Sequence, residues 1–293
     1  MKPADFQYYR PRQIDEALTL LKEFGEESKI LAGGQSLMPL MNFRLAQPTH
    51  LIDINFIDGL DYIRKENGMF KIGCLARQSR VLNDPAVKRD CPLLAEALVH
   101  VGYEQTRNRG TFCGSLAHAD PAAELPAVFL AMDGSVIVGN SIQRREIPAR
   151  DFFQTYLTTA LRSDDMVLEA LLPEEPARAG SSFVELARRF GYFAIVGVAA
   201  LLVAFGEEIT ECRIALAGVG DRPWRERSVE EMLIGKKASL ELFSRAASAV
   251  ADGISPSSDI HASDAYRRSL AAVLTRRALT NAWDRAPKGN YGK

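Results

Sequence analysis

Apolar residues recur at helical spacing over residues 13–24, where Ile14, Ala17, Leu18, Leu21 and Phe24 share one face and Gly25 stands where a C′ glycine belongs. A short apolar run, Ile30-Leu31-Ala32, reads as a strand, and His50 to Ile54, after Pro48, reads as a buried one. Asn67-Gly68 between Tyr62–Lys65 and Met69–Ile72 predicts a hairpin with a type I′ turn. Leu93 to Val101 predicts an amphipathic helix stopped at Gly102, and strands are expected at Gly134–Val138 and Val167–Leu172. Pro173-Glu174-Glu175-Pro176 is polar, proline-bounded and without periodicity, which places a domain boundary there. Beyond it the pattern predicts strands at Phe183–Ala187, Gly197–Phe205 and Arg213–Val219. Helices follow over Val229–Leu233, Leu240–Ala251 and Asp264–Trp283, and the last residues have the composition of a frayed tail.

Two stretches break this regular pattern. In Lys29 to Arg44 the strand runs into Gly33-Gly34, and a helix then opens with Ser36 as the expected N-cap and Pro39 in its first turn. Such a turn presents backbone N–H groups and the positive end of a helix dipole to an anion, so a phosphate or pyrophosphate is one reading. A plain strand-to-helix connection is the other. On the first reading, a Cβ at Gly33 or Gly34 would stand where the phosphate approaches. Gln105 to Glu124 repeats the theme: a basic lead-in (Arg107, Arg109), small residues (Gly110, Gly114, Ser115), and an expected helix start at Asp120-Pro121. Together the two turns suggest a diphosphate held from both sides.

A chain of 293 residues suits one large or two to three smaller α+β units, and a net charge of −1 provides no electrostatic case for nucleic acid or an anionic membrane. The longest apolar run, Ala194 to Phe205, falls short of a bilayer span, and the N-terminus lacks the apolar segment of a signal peptide. Cys74, Cys91, Cys113 and Cys212 are scattered, which suits reduced thiols in the cytoplasm and disfavours a four-cysteine iron–sulfur site. G-x-G-x-x-G and G-x-x-x-x-G-K-[ST] are both missing, so Rossmann and P-loop nucleotide sites are disfavoured. His50, His100 and His118 are not grouped at ligand spacing, which argues against a metal. His118 reads as an acid/base group or a hydrogen-bonded loop histidine, Asp120 as its partner or a helix cap. Ser115 lacks a G-x-S-x-G frame, and Cys113 reads as an activated thiol beside arginines or a small buried side chain. No set of residues looks able to perform substrate chemistry alone, which fits a protein that holds a cofactor.

Three features carry a family resemblance. The first is Ala32-Gly33-Gly34-Gln35-Ser36-Leu37 with Arg44-Leu45-Ala46 and Leu51-Ile52-Asp53-Ile54 behind it. The second is Arg107-Asn108-Arg109-Gly110-Thr111 through Gly114-Ser115-Leu116-Ala117-His118-Ala119-Asp120-Pro121-Ala122-Ala123-Glu124. The third is Thr159-Ala160-Leu161 before a strand ending at Pro173, followed by Ala187-Arg188-Arg189 and Phe193-Ala194-Ile195-Val196-Gly197. Over almost its whole length the chain resembles the medium, FAD-binding subunit of the molybdenum hydroxylases, the group of bacterial carbon monoxide dehydrogenase, xanthine dehydrogenase and aromatic N-heterocycle hydroxylases.

That resemblance implies an α+β protein: a two-part FAD-binding module of the vanillyl-alcohol-oxidase (PCMH) type over residues 1–175, with subdomains of about 1–55 and 56–175, and a smaller C-terminal α+β domain over 177–287 before a tail at 288–293. It implies that the segment Leu31 to Leu37, chiefly the backbone of Ala32, Gly33, Gly34, Gln35 and Ser36, holds the FAD pyrophosphate. Thr111, Phe112, Cys113, Gly114 and Ser115 would form a second phosphate loop, with Thr111 as hydroxyl donor. Asp120 and Glu124 match acidic positions near the ribityl and sugar hydroxyls, Leu161 would pack on the flavin or adenine, and the segment carrying Tyr192 lies near the flavin in relatives. No residue is assigned a catalytic or metal-binding role. The implied partners are a large molybdopterin-binding subunit and a small [2Fe-2S] subunit in a dimer of heterotrimers, with NAD, a quinone or another compound as electron acceptor. Two positions depart from the family: Cys113 stands where Gly is usual, bringing bulk toward the cofactor, and Tyr192 stands where many members carry Asp. Phe193 and Ala194 to Val198 look like a buried strand, so Tyr192 is expected where a loop enters the core, and its ring either lies on the isoalloxazine or only packs. The competing readings are a scaffold subunit without flavin and a stand-alone flavin oxidase of the same fold.

Overall fold

The computed structural model describes residues 2–287, so the expected tail at 288–293 lies outside the described residues. Three sheets follow one another along the chain. The first is parallel, in the order β1-β3-β2, from β1 (Gln7–Tyr9), β2 (Ser28–Leu31) and β3 (His50–Asp53). Helix α1 (Ile14–Phe24) crosses over between β1 and β2 with Ala17, Leu18 and Leu21 buried, and Gly25 ends it at φ 47°. Helix α2 (Leu37–Asn42) follows the first glycine turn.

The second sheet is antiparallel in the order β4-β5-β10-β6-β7. Its strands are β4 (Ile63–Glu66), β5 (Met69–Gly73), β6 (Ser135–Gly139), β7 (Arg144–Pro148) and, after a ribbon of β8 (Phe153–Thr155) and β9 (Thr158–Thr159), β10 (Met166–Pro173). Asn67 and Gly68 both have positive φ, 51° and 73°, as a type I′ hairpin requires. Between β5 and β6 run α3 (Gln78–Asn83), α4 (Pro85–Asp90), α5 (Pro92–His100), α6 (Glu104–Arg109), α7 (Phe112–His118) and α8 (Glu124–Ala131), and α9 (Ala149–Phe152) leads into the ribbon. Every residue of α8 is buried, because it packs against the third sheet and against α5 and α7.

The third sheet is an antiparallel meander of β11 (Ala179–Ala187), β12 (Ala194–Phe205) and β13 (Glu208–Ala217), followed by α10 (Arg227–Glu231), α11 (Leu240–Gly253) and α12 (Asp264–Arg285). The expected strands and helices are all present, most of them longer than the sequence pattern indicates. One apolar cluster gathers the first two sheets with α8, and a second gathers β12 and β13 with α11 and α12. Phe183, Ala199, Leu201 and Ala215 point the third sheet's other face into the first cluster, so the two halves share a packed seam. Among the described residues no helix is long and apolar enough to cross a membrane.

Candidate functional site

The two glycine turns meet back to back. A Cβ on Gly33 would lie 2.6 Å from the Arg109 carbonyl oxygen, 2.7 Å from Gly110 Cα and 3.0 Å from Thr111 N. The first two distances are shorter than real Cβ atoms show, so residue 33 has no side chain because the second turn occupies that space. This revises the expected reason: the obstruction at Gly33 is protein backbone rather than ligand. Gly34 takes φ 72°, and a Cβ there would press on Leu31 and Met38. That twist turns a run of amides outward. The N–H groups of Gly33, Gly34, Gln35, Ser36 and Leu37 find no acceptor among the described residues; the first amide to do so is Met38, which donates to the Gly34 carbonyl. Ser36 stands at the N-cap position with φ −105° and ψ −47°, and its side chain makes no capping bond, contrary to the expectation from its type. Unpaired amides on a half-buried turn are the donor set an anion needs.

A partly buried polar network ties down the Ala32 carbonyl on the other side of this turn. Asn55 donates from Nδ2 to the Ala32 carbonyl (2.8 Å) and to Asp53 Oδ1 (2.6 Å). Tyr8 donates to Asp53 Oδ2 at 2.5 Å, a bond that raises the tyrosine's pKa. Arg77 donates from Nη2 to Asn55 Oδ1 (2.6 Å) and from Nη1 to the Arg109 carbonyl. One guanidinium therefore joins the second turn to Asn55, which in turn holds the first. Tyr8, Asn55 and Arg77 carried no expectation from the sequence; a polar residue just past a buried strand, as at Asn55, was the available signal.

The second turn is more fully paired, and only its Thr111 and Cys113 amides find no acceptor among the described residues. Residues 76–78 pair with it through Gln78 N–H to the Gly110 carbonyl (2.9 Å) and Phe112 N–H to the Ala76 carbonyl (3.0 Å). Thr111 caps α7 by accepting from Gly114 N–H at 3.0 Å, and a Cβ on Gly114 would fall 2.5 Å from that hydroxyl. Thr111 is only 2 % exposed, so its hydroxyl works first as a cap. The helix thus begins at Phe112, nine residues ahead of the Asp120-Pro121 start expected from the sequence. Asp120 instead closes a separate turn, accepting from Ala122 N–H at 2.9 Å, and α8 begins only at Glu124. Phe112 is fully buried against Phe129. Cys113 points the same way, its thiol donating toward the Ile72 carbonyl of β5 at 3.5 Å, and burial pushes its pKa well above the ordinary value. Its sulfur lies in the core, which removes the activated-thiol reading and the expected bulk beside a cofactor. Ser115 is half-buried on the following turn.

Beyond α7, burial holds His118 below its ordinary pKa against the pull of Asp120, so its imidazole is neutral at pH 7. Glu124 is 3 % exposed, and burial, with Glu185 and Asp120 nearby, pushes its carboxyl up to about 8. At neutral pH it is a carboxylic acid able to donate a hydrogen bond. Leu161 is half-buried against the first apolar cluster. Tyr192 is 46 % exposed and Phe193 57 %, because β12 starts at Ala194; the expectation that Phe193 is buried is wrong. Phe190 packs edge-on to Tyr103, and Gly191 approaches Gly102, so this loop reaches the second turn by way of α6. Arg109, which closes α6 ahead of the second turn, is exposed.

Comparisons with known proteins cover almost the whole chain. Residues 4–175 match the FAD binding domain in molybdopterin dehydrogenase, and residues 181–282 match the CO dehydrogenase flavoprotein C-terminal domain. The chain is 37 % identical over 288 residues to the alpha subunit of a 6-hydroxypseudooxynicotine dehydrogenase complex from Paenarthrobacter nicotinovorans, covering 98 % of this chain and 97 % of the relative. A carbon monoxide dehydrogenase structure from Hydrogenophaga pseudoflava superposes with a TM-score of 0.96 at 35 % identity, covering 98 % of this chain and 100 % of that one. Quinoline 2-oxidoreductase from Pseudomonas putida superposes with a TM-score of 0.92 at 34 % identity, over 97 % and 99 % of the two chains. A fold shared over its whole length and a domain match of this extent mean that the chain belongs to the FAD-binding medium subunits of the molybdenum hydroxylases, a family of oxidoreductase components.

Proposed function

We propose that this chain is the flavoprotein relay of a molybdenum hydroxylase: electrons reach it from a molybdopterin subunit through a [2Fe-2S] subunit and leave for NAD, a quinone or another acceptor. The observation that supports this best is the run of unpaired amides from Gly33 to Leu37, backed by Arg109–Thr111. A diphosphate supplies the acceptors these groups lack, so the residues present fit FAD. On this reading Leu31 to Leu37 hold the diphosphate by backbone, and Thr111, Gly114 and Ser115 close the site from behind. Glu124, protonated, and Asp120 meet sugar or ribityl hydroxyls, while Leu161 and Tyr192 flank the ring system. Phe112 and Cys113 take part through backbone alone. FAD bound there supplies a carrier able to pass on electrons in pairs or one at a time.

On this reading the partners are a large molybdopterin-binding and a small [2Fe-2S] subunit, arranged as a dimer of heterotrimers. A cytoplasmic site of assembly fits four cysteines that are all unpaired and buried. The division into domains at 1–175 and 177–287 belongs to the same reading. The test is purification of the chain alone and in its complex. The isolated subunit should be yellow and fail to oxidise purines, aldehydes, pyridines or carbon monoxide, with turnover appearing only in the complex. Turnover by a subunit free of molybdenum and iron would overturn the relay assignment. Tyr192→Ala should raise flavin fluorescence and change the reoxidation rate, and Tyr192→Phe should do neither. Identical behaviour of both variants and wild type would leave Tyr192 as packing.

A further inference from the structure

A hydrogen-bonded chain crosses from the C-terminal half to the acidic turn. Arg267, on α12 and 6 % exposed, donates from Nη1 to the carbonyls of Ile195 (2.5 Å) and Gly218 (2.9 Å) and from Nη2 to Asp259 Oδ2 (2.6 Å). The other oxygen of Asp259 accepts from the N–H groups of His261 and Ala262 at 2.8 and 2.9 Å, so the far end of the clamp is itself fixed. Gly218 has φ 77°, and a Cβ there would lie 2.4 Å from the Ile195 carbonyl oxygen. Only glycine lets both carbonyls converge on one guanidinium. With its carbonyl held, Gly218 donates its N–H to the Pro121 carbonyl at 2.8 Å. Among the described residues this is the one backbone–backbone hydrogen bond joining residues 4–175 to residues 181–282. It lands between Asp120 and Glu124.

We infer that Arg267 is a positioning residue for the cofactor site: through Gly218 it sets the Pro121 carbonyl, and so the turn that aims Asp120 and Glu124, without touching the cofactor itself. This rests on the proposal that the paired turns and this acidic turn bind FAD. A second arginine provides a matched control. Arg225 also crosses the seam, donating to the Leu130 carbonyl and Asp133 Oδ1, both at 2.7 Å, and its side chain has the same 8 % exposure as that of Arg267. It grips the opposite end of α8, away from the acidic turn.

The experiment measures FAD affinity and thermal stability on the full chain stripped of flavin. Arg267→Met should weaken FAD binding about tenfold. Arg267→Lys, which keeps one donor on the carbonyls, should recover part of the loss. Arg225→Met should lower the melting temperature at least as much as Arg267→Met and leave FAD affinity within about twofold of wild type. If Arg267→Met does not fold, Asp259→Asn, which loosens only the exposed end of the clamp, should weaken FAD binding about two- to threefold. Wild-type affinity in Arg267→Met, or in Asp259→Asn where that variant is the one measured, would overturn the inference, as would equal weakening by Arg225→Met. A Gly34→Val variant run in parallel separates the levels. If it too binds FAD like wild type, the site itself is misplaced; if it has lost FAD while Arg267→Met has not, only the positioning role fails.

Discussion

The two glycine turns have the same sequence texture and different economies of hydrogen bonding. Gly33–Leu37 leaves its amides unpaired, while the Ala32 carbonyl just ahead of it is held by Asn55 from elsewhere in the fold. Gly110–Ser115 pairs with residues 76–78, caps its own helix through Thr111 and sinks Phe112 and Cys113 into the core. One turn offers donors and the other is the wall behind it. A glycine in such a pair can therefore be required by the protein at its back rather than by the ligand in front.

The sharpest way to break the pair is Gly33→Val, which drives a side chain into the Arg109–Thr111 backbone. It should lose FAD and also destabilise the fold by more than about 3 kcal/mol, because overpacking against backbone has no cheap relief. Normal chemical denaturation with flavin lost would mean that the clash is absorbed and the ligand alone feels the change. Glu124→Gln tests the acidic turn downstream of the wall. Burial raises the Glu124 carboxyl from its ordinary 4.5 to about 8, so the folded chain keeps a proton that the unfolded chain releases. Stability should accordingly fall as pH rises between those values, by up to about 1.4 kcal/mol per unit, and Glu124→Gln should remove that slope. Parallel pH–stability curves for variant and wild type would contradict the buried acid. Arg77→Met cuts the guanidinium that joins the second turn to Asn55 and should cost about 2 kcal/mol and weaken FAD binding, read by denaturation and titration. Cys113→Ala should do least. Its sulfur faces β5, so about 1 kcal/mol is lost and FAD affinity stays at the wild-type level. A clear change in affinity would place that sulfur at the cofactor after all.

Much of the scaffold was legible because its signals are local. Gly25 and Asn67-Gly68 take the positive φ that their positions in the pattern demand. Misreadings arose where one local pattern serves two structures. Asp followed by Pro suits a helix N-cap, yet Asp120 uses the same carboxylate chemistry to close a turn ahead of α8. Ser36 sits at a cap position without capping, since the neighbouring amides are left unpaired. What the pattern could not contain is long-range. Tyr8 reaches Asp53 across 45 positions, Arg77 reaches Asn55 across 22, and Arg267 reaches Ile195 across 72. Nothing in the spacing of a single sequence ties such partners together. The burial of Cys113 was half visible: a small residue on a short helix against a sheet is an ordinary core position, and the structure selects that reading over the reactive one.

The central claim is that the open amides of Gly33–Leu37 hold a diphosphate. Its most direct test is to titrate the flavin-free full chain with FAD and with riboflavin, which shares the ring system and lacks the phosphates. The account predicts that FAD binds at least about 100-fold more tightly and that Gly34→Val closes most of that gap. Equal affinity for the two flavins would contradict it.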